Sequence, residues 1–278
     1  MTVVRHSRLA RACLAYLAAV VVFCVVGPLL ASTLGGLDGT TQHVGLGATP
    51  PSLAHPFGTD LLGRDMLVRV MLGGRLALVV ALIATSVALV LGVAWGAIAA
   101  YAGGRIDFVM MRIVDVLYGF PVVVFVIVVM AVLGTKNLVV LFLLIGAINW
   151  MTMSRIVRGQ VLALRRREFV EAARAMGARA DRIVLRHLIP NSLGPIIVYA
   201  TLQLPHVMLS EAFLSFLGVG VQAPAASWGT LVAEGADTMR VCPWLLAAPA
   251  LVMTTTILAL NLLGDRIRDA FDPAPRQG

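Results

Sequence analysis

Six apolar runs, each of roughly twenty residues and able to cross about 30 Å of hydrocarbon, occupy positions 9–30, 76–100, 113–133, 138–156, 193–217 and 244–263 of this 278-residue chain. That spacing leaves little sequence from which to build a water-soluble core. Apolar residues make up 59% of the chain and charged residues 13%, against about a quarter charged in an ordinary soluble domain. A mean hydropathy of +0.92 agrees. The expected fold class is therefore all-α, a polytopic membrane protein with six transmembrane helices. Arg5, Arg8 and Arg11 precede the first run as they would in a secretory signal. Its apolar core exceeds the roughly 7–15 residues of such a segment, so it is read as a retained span.

Basic residues orient the spans. With the N-terminus in the cytosol, the inside segments hold Arg5, Arg8, Arg11, Arg105, Arg112, the nine arginines between positions 155 and 186, Arg266, Arg268 and Arg276. Only Arg64, Arg69, Arg75, Lys136 and Arg240 fall outside. This asymmetry places both termini in the cytosol. The net charge of +8 sits in clusters that flank apolar runs. Membrane lipid, and no nucleic acid, is the partner such clusters indicate. Residues 1–75 form a cytosolic tail, a first helix and an external loop from about 31 to 74. Residues 76–278 form a five-helix core containing a cytosolic loop at 157–192 and a second external loop at about 218–243. Cys13, Cys24 and Cys242 offer no disulfide framework or paired metal-ligand spacing and are read as packing residues.

Catalytic signatures are missing. Gly134-Thr135-Lys136 lacks the upstream glycine of a phosphate-binding loop and falls on the external side. The spans contain no His-x-x-x-His pair, carboxylate cluster or nucleophile elbow. No catalytic residue, metal or cofactor is expected in this chain, and any driving energy must come from a partner.

The loop at 157–192 contains EAARAMGARADRIVLRHLIPN at 171–191. Phe169, Ala173 and Met176 recur at helical spacing with Ala172 beside them, while Glu168, Glu171 and Arg174 take the other face, which predicts a short amphipathic helix. Gly177 supplies the left-handed residue that ends it, and a second helical piece runs through Ile183, Val184 and His187 to Pro190 and Asn191. Two uses fit such an elbow. It can lie in a groove of another protein and pass motion to the flanking spans, or rest on anionic headgroups through Arg165, Arg166 and Arg167.

Glu-Ala-Ala at 171–173, Gly177 and the Arg186–Asn191 ending RHLIPN resemble the EAA loop of ABC importer permeases in spacing and order. Where many members carry an aliphatic residue this chain has His187, as peptide-type members commonly do. HPFGTDLLGRD at 55–65, EAFLSFLGVG at 211–220 and GDRIRDAFDP at 264–273 resemble further segments of the C-type permease subunit, DppC/OppC-like, of dipeptide, oligopeptide and nickel importers. The resemblance implies a type I ABC importer permease fold. It implies half of a translocation pathway for short peptides, with Glu171, Ala172, Ala173, Arg174, Met176 and Gly177 coupling it to ATP hydrolysis. The implied partners are a B-type permease subunit, two ATP-binding subunits that hold ATP and Mg, and an extracytoplasmic solute-binding protein. Nickel, opine or haem-like cargo on the same architecture is the alternative, and a lone channel or scaffold with a lipid-bound loop is the rival from another class.

Polar residues within spans are costly in lipid and raise a functional question. Asn149, Gln203 and His206, with Pro121 opening the third span after Asp115 and Tyr118, either line a translocation path or satisfy neighbouring helices, with Pro205 kinking its helix for fit. Glu211 falls near the external boundary about 30 Å from Asn191, where a carboxylate can reach water or an arginine, as a gate or loop-anchoring element or in a structural ion pair. Asp60, Arg64 and Asp65 in the external loop either contact the binding protein or form a self-contained turn over the helix ends.

Overall fold

The computed structural model describes residues 8–134 and 137–271, so Arg5, Lys136, Arg276 and the final residues of the 264–273 motif lie outside the described residues. Among the described residues the chain is helical throughout, with a single isolated β-bridge, Thr59 to Asp65. Helices α1 (Arg8–Val25) and α2 (Gly27–Gly35) form the first span. Then follow α3 (Met66–Ala102), α4 (Gly104–Tyr118), α5 (Val122–Leu133) and α6 (Leu138–Leu164). The cytosolic segment comprises α7 (Glu168–Ala175), α8 (Ala180–Ile183), a π-helical turn (Val184–Leu188) and α9 (Ile189–Asn191). Helices α10 (Leu193–Phe216), α11 (Trp228–Thr238) and α12 (Pro243–Phe271) complete the chain. Five helices are long and apolar enough to cross a membrane, and α4 with α5 make a sixth if taken as one broken span.

Three expectations need correction. The expected span at 113–133 is not one straight helix: α4 and α5 meet at 86°. The cause is local, because Pro121 has no N–H to give, adopts an extended conformation (φ −61°, ψ 114°) and pushes its predecessor out of helical geometry. The external loop expected to reach position 74 ends at Asp65, which caps α3 by accepting the N–H of Val68 at 3.0 Å. The apolar residues after it, Met66, Val68 and Val70, are buried within the chain itself. Third, α11 occupies the second external loop. Ser227 opens it with a reciprocal capping box to Thr230, and Trp228 is fully buried, its indole N–H donating to the Val70 carbonyl at 2.9 Å.

The principal packing seam joins α3 to α6, which run in the same direction. Small residues repeat every fourth position along α3 at Ala84, Ala88, Gly92, Gly96 and Ala100, all buried. This small-xxx-small ladder lets two backbones approach closely where lipid supplies no hydrophobic drive. A Cβ on Gly96 would stand 2.3 Å from the Ser154 carbonyl oxygen, and one on Gly92 would stand 2.5 Å from Met153 Cβ. From α6, Gly146 answers against the Ala84 carbonyl. At the cytosolic end, Arg165 Nη1 donates to the Ala100 and Tyr101 carbonyls at 2.8 and 3.2 Å, closing the last turn of α3 where a cation is favoured. Arg158 reaches both carboxylate oxygens of Asp107 at 2.6 Å, and Arg155 reaches Asp115 at 2.8 Å, so α4 is held to the same end of α6.

The external end is held by a polar network. Asp60 Oδ2 accepts from Arg64 Nε at 2.7 Å and from Arg69 Nη1 at 2.6 Å, and Arg69 continues to Glu234 on α11 at 2.9 Å. Asp65 Oδ2 pairs with His55 Nδ1 at 2.8 Å. Asp60, Arg64 and Asp65 are 5%, 8% and 2% exposed. Each charge is satisfied within the chain, as groups this buried require. Glu211, expected to meet water or an arginine, does neither. It is 1% exposed, and its Oε1 accepts the hydroxyls of Ser215 at 2.7 Å and Ser227 at 2.6 Å. Its depth along α10 is as expected, but α11 folds back over it, and the same Ser227 hydroxyl that caps α11 ties that helix to α10.

Two predictions follow from this packing. Gly96→Leu should destabilise the folded subunit by at least about 1–3 kcal/mol, the usual cost of overpacking, read as a lowered thermal midpoint of the detergent-solubilised transporter. An unchanged midpoint would refute the close seam. Glu211→Leu should cost about 1–3 kcal/mol by leaving two buried hydroxyls without their acceptor, and Glu211→Gln should cost less because an amide oxygen still accepts.

Candidate functional site: the cytosolic elbow

Between Leu164 and Leu193 the chain makes a helix-turn-helix elbow. In α7, Glu168 and Glu171 occupy the first turn and Arg174 the last, each sign at the helix end that favours it. The helix stops at Gly177, whose φ is +78°. Its N–H bonds the Arg174 carbonyl at 2.9 Å while that of Ala178 bonds the Ala173 carbonyl at 3.0 Å, the paired bonds of a Schellman motif. A Cβ at position 177 would meet nothing within 4 Å, so glycine is needed there for backbone conformation and not for space.

The expected apolar face does not form as drawn. Phe169, Ala173 and Met176 were placed together, yet Ala173 is 4% exposed whereas Met176 is 81% and Phe169 40%. The inward stripe is Val170 with Ala173, three residues apart, because the helix ends before Met176 can complete a second turn. Val170 and Ala173 join Ala97, Ala100, Ile183 and Leu188 in a cytosolic apolar cluster. The outward surface consists of Glu171, Ala172, Arg174, Ala175 and Met176, all exposed. Arg174 lies over the Tyr101 ring at 5.4 Å, so α7 is fixed to the end of α3 by packing and by a cation–π contact. Half-buried His187 sits beside the Phe169 ring at 6.5 Å.

Beyond Gly177 the chain runs through the π-helical turn, where the Ile189 N–H reaches back to the Val184 carbonyl. It then passes Ser192, fully buried, whose hydroxyl donates to the Leu188 carbonyl at 2.8 Å, into α10. No irregular linker separates elbow from span, so displacement of one is displacement of the other. Arg166, Arg167, Arg174, Arg179, Arg182 and Arg186 are exposed and make this face strongly basic.

The four expected pathway residues fall at three places. Asn149 and His206 line one cavity of about 350 Å³ between α5, α6 and α10, together with Ser210. Gln203 is buried elsewhere on α10, and its Nε2 finds no partner among the described residues, as is true of Thr85 Oγ1. Glu211 belongs to the external junction. Sequence reasoning passed over Arg69, Glu234, Ser227 and Trp228, since their partners lie far along the chain. The spacing of Gly92 and Gly96 was a legible sign of the seam.

Comparison with known proteins follows this geometry. A family model described as "Binding-protein-dependent transport system inner membrane component" matches residues 92–277. The oligopeptide transport system permease protein OppC of Escherichia coli (strain K12) is 44% identical over 271 residues, which is 98% of this chain and 89% of that protein. OppC of Haemophilus influenzae is 47% identical over 222 residues, 80% of this chain and 71% of that protein. The dipeptide transport system permease protein DppC of Bacillus subtilis (strain 168) is 41% identical over 274 residues, 98% of this chain and 84% of that protein. A chain from the inward-facing MetNI methionine ABC transporter superposes with a TM-score of 0.61 at 19% identity, covering 74% of this chain and 98% of that one, which speaks for the fold. The sequence resemblance, the elbow and these matches agree that the chain belongs to the family of inner-membrane components of binding-protein-dependent transport systems, as a multi-pass permease of the bacterial plasma membrane.

Proposed function

We propose that this chain is the C-type half of the membrane pathway of an ABC importer for short peptides, driven through its elbow by partner subunits that hydrolyse ATP. The observation that carries the reading is the two-sided construction of α7. Val170 and Ala173 fix it to the chain's own cytosolic cluster, while Glu171, Ala172 and Met176 are presented outward. An outward face in which Ala172 and Ala175 leave room beside the protruding Met176, flanked by the charges of Glu171 and Arg174, suits a groove in another protein. The direct join through Ser192 then turns motion of that protein into motion of α10. Peptide cargo rests on the names of the OppC and DppC relatives. ATP and Mg belong to two ATP-binding subunits. A B-type permease completes the pathway, and a solute-binding protein delivers cargo to the external face.

The test uses the complete transporter in proteoliposomes. Ala172→Arg combined with Met176→Asp should lower peptide uptake per ATP hydrolysed about tenfold, the effect of losing about 1.4 kcal/mol of docking energy. The subunit's thermal midpoint should stay near wild type because both positions are exposed. Unchanged uptake per ATP would remove the elbow from the coupling path. Ala173→Arg behaves differently: it buries a guanidinium in the cytosolic cluster and should reduce the amount of folded subunit by several kcal/mol of instability. Gly177→Ala should cost about 1 kcal/mol through left-handed strain, with a correspondingly small loss of coupling.

A further inference from the structure

The cavity between α5, α6 and α10 has a composition that bears on what passes along it. Its polar side chains are Asn149, His206 and Ser210, and its walls are otherwise apolar, including Val126, Ile148 and Phe213. No carboxylate, lysine or arginine among the described residues lines it. Asn149 Nδ2 donates to the Ile145 carbonyl of its own helix at 2.8 Å, and the Ser210 hydroxyl donates to the His206 carbonyl at 2.8 Å. The amide oxygen of Asn149 and the imidazole Nε2 of His206 make no hydrogen bond within the described residues. Position 206 lies thirteen residues into α10, about 20 Å along its axis, and position 149 lies eleven residues into α6, about 17 Å along that helix. Both are at mid-membrane depth, and His206 is exposed. Polar groups with open hydrogen-bonding atoms at that depth are costly against lipid and mark water-filled passages instead.

We infer that the cavity formed by Asn149, His206 and Ser210 is a transit subsite that takes the main-chain amide groups of a passing peptide by hydrogen bonds and, having no carboxylate, lysine or arginine of its own among the described residues, leaves the charge of the peptide's side chains unread. This rests on the reading of the chain as half of a peptide pathway. The chemistry is direct. The Asn149 amide oxygen can accept the N–H that every peptide carries, and the His206 imidazole nitrogen can accept that N–H or donate to the C=O according to its tautomer. A wall without fixed charge neither attracts nor repels a lysine or glutamate side chain, whereas one charge a few ångströms away in a low-dielectric passage would act strongly. The phenyl ring of Phe213 and the aliphatic wall give side chains apolar contact without selecting among them.

The test places charge at this point after assembly. In a chain whose Cys13, Cys24 and Cys242 are replaced by alanine, His206→Cys is incorporated into the complete transporter. The transporter is then reacted in proteoliposomes with membrane-impermeant, water-soluble thiol reagents carrying either an ammonium or a sulfonate group. The thiol should react and be protected by saturating peptide. The ammonium adduct should then shift the uptake ratio of an acidic to a basic tripeptide about tenfold in one direction and the sulfonate adduct about tenfold in the other, the effect of about 1.4 kcal/mol each way. A thiol that does not react would show that lipid or a neighbouring helix covers the face. Adducts that leave the ratio as it was would show that cargo passes elsewhere. Either result overturns the inference. A transporter that carries no peptide before any labelling would instead overturn the functional reading, and His206→Gln, which keeps a neutral hydrogen-bonding group, should retain the unmodified ratio.

Discussion

Close approach between the backbones of α3 and α6 is the interaction on which the remainder depends. Where lipid surrounds the chain, burying apolar surface between helices gains little over leaving it in the bilayer, so association rests on contact distance and on polar groups that find partners. Ala84, Ala88, Gly92, Gly96 and Ala100 present almost no side-chain volume along one face of α3, and α6 lies against it along most of its length. The seam ends in the cytosol beside Ala97, Ala100, Val157 and Val161, and these form the apolar floor onto which α7 packs. Without the seam there would be no fixed platform for the elbow.

The elbow is held rigidly on one side and left uncovered on the other. Arg165 closes the end of α3, Arg174 covers Tyr101, and Ser192 locks the turn into α10. A segment so tied transmits displacement instead of absorbing it. At the opposite end of α10, the Glu211 carboxylate holds Ser227 and thereby α11, while Trp228 and Arg69 hold α11 to α3. The external ends of three helices are thus linked by hydrogen bonds in a buried setting. The broken α4–α5 segment is joined to α6 at its cytosolic end by the Arg158–Asp107 and Arg155–Asp115 pairs, and along α5 by buried Val126 and Met130 in the core shared with α6.

Much of this was legible in the residues, and the misses share a cause. The spans, their orientation and the elbow's boundaries follow from run length, arginine placement and the glycine and proline signals, all local properties. Errors arose where a face had to be chosen. Helical spacing grouped Phe169, Ala173 and Met176, but which stripe turns inward was decided by the position of α3 and α6. Asp60, Arg64 and Asp65 are charged and lie in an external loop, features of a contact surface as much as of a packed turn. Only the fold brings Arg69 and Glu234 to them.

The sequence by itself determined that this is a membrane protein of several apolar spans with a cytosolic elbow that resembles the EAA loop. Hydrophobic length, charge asymmetry and motif spacing are properties of contiguous segments. The tertiary structure decided that Glu211 binds two serines instead of an arginine, that Asn149 shares a cavity with His206 but not with Gln203, and that Ala173 faces inward while Met176 faces outward. Each of these depends on which distant helix arrives at a given face, and in a chain whose helices are nearly all apolar, periodicity alone does not distinguish a neighbour from lipid.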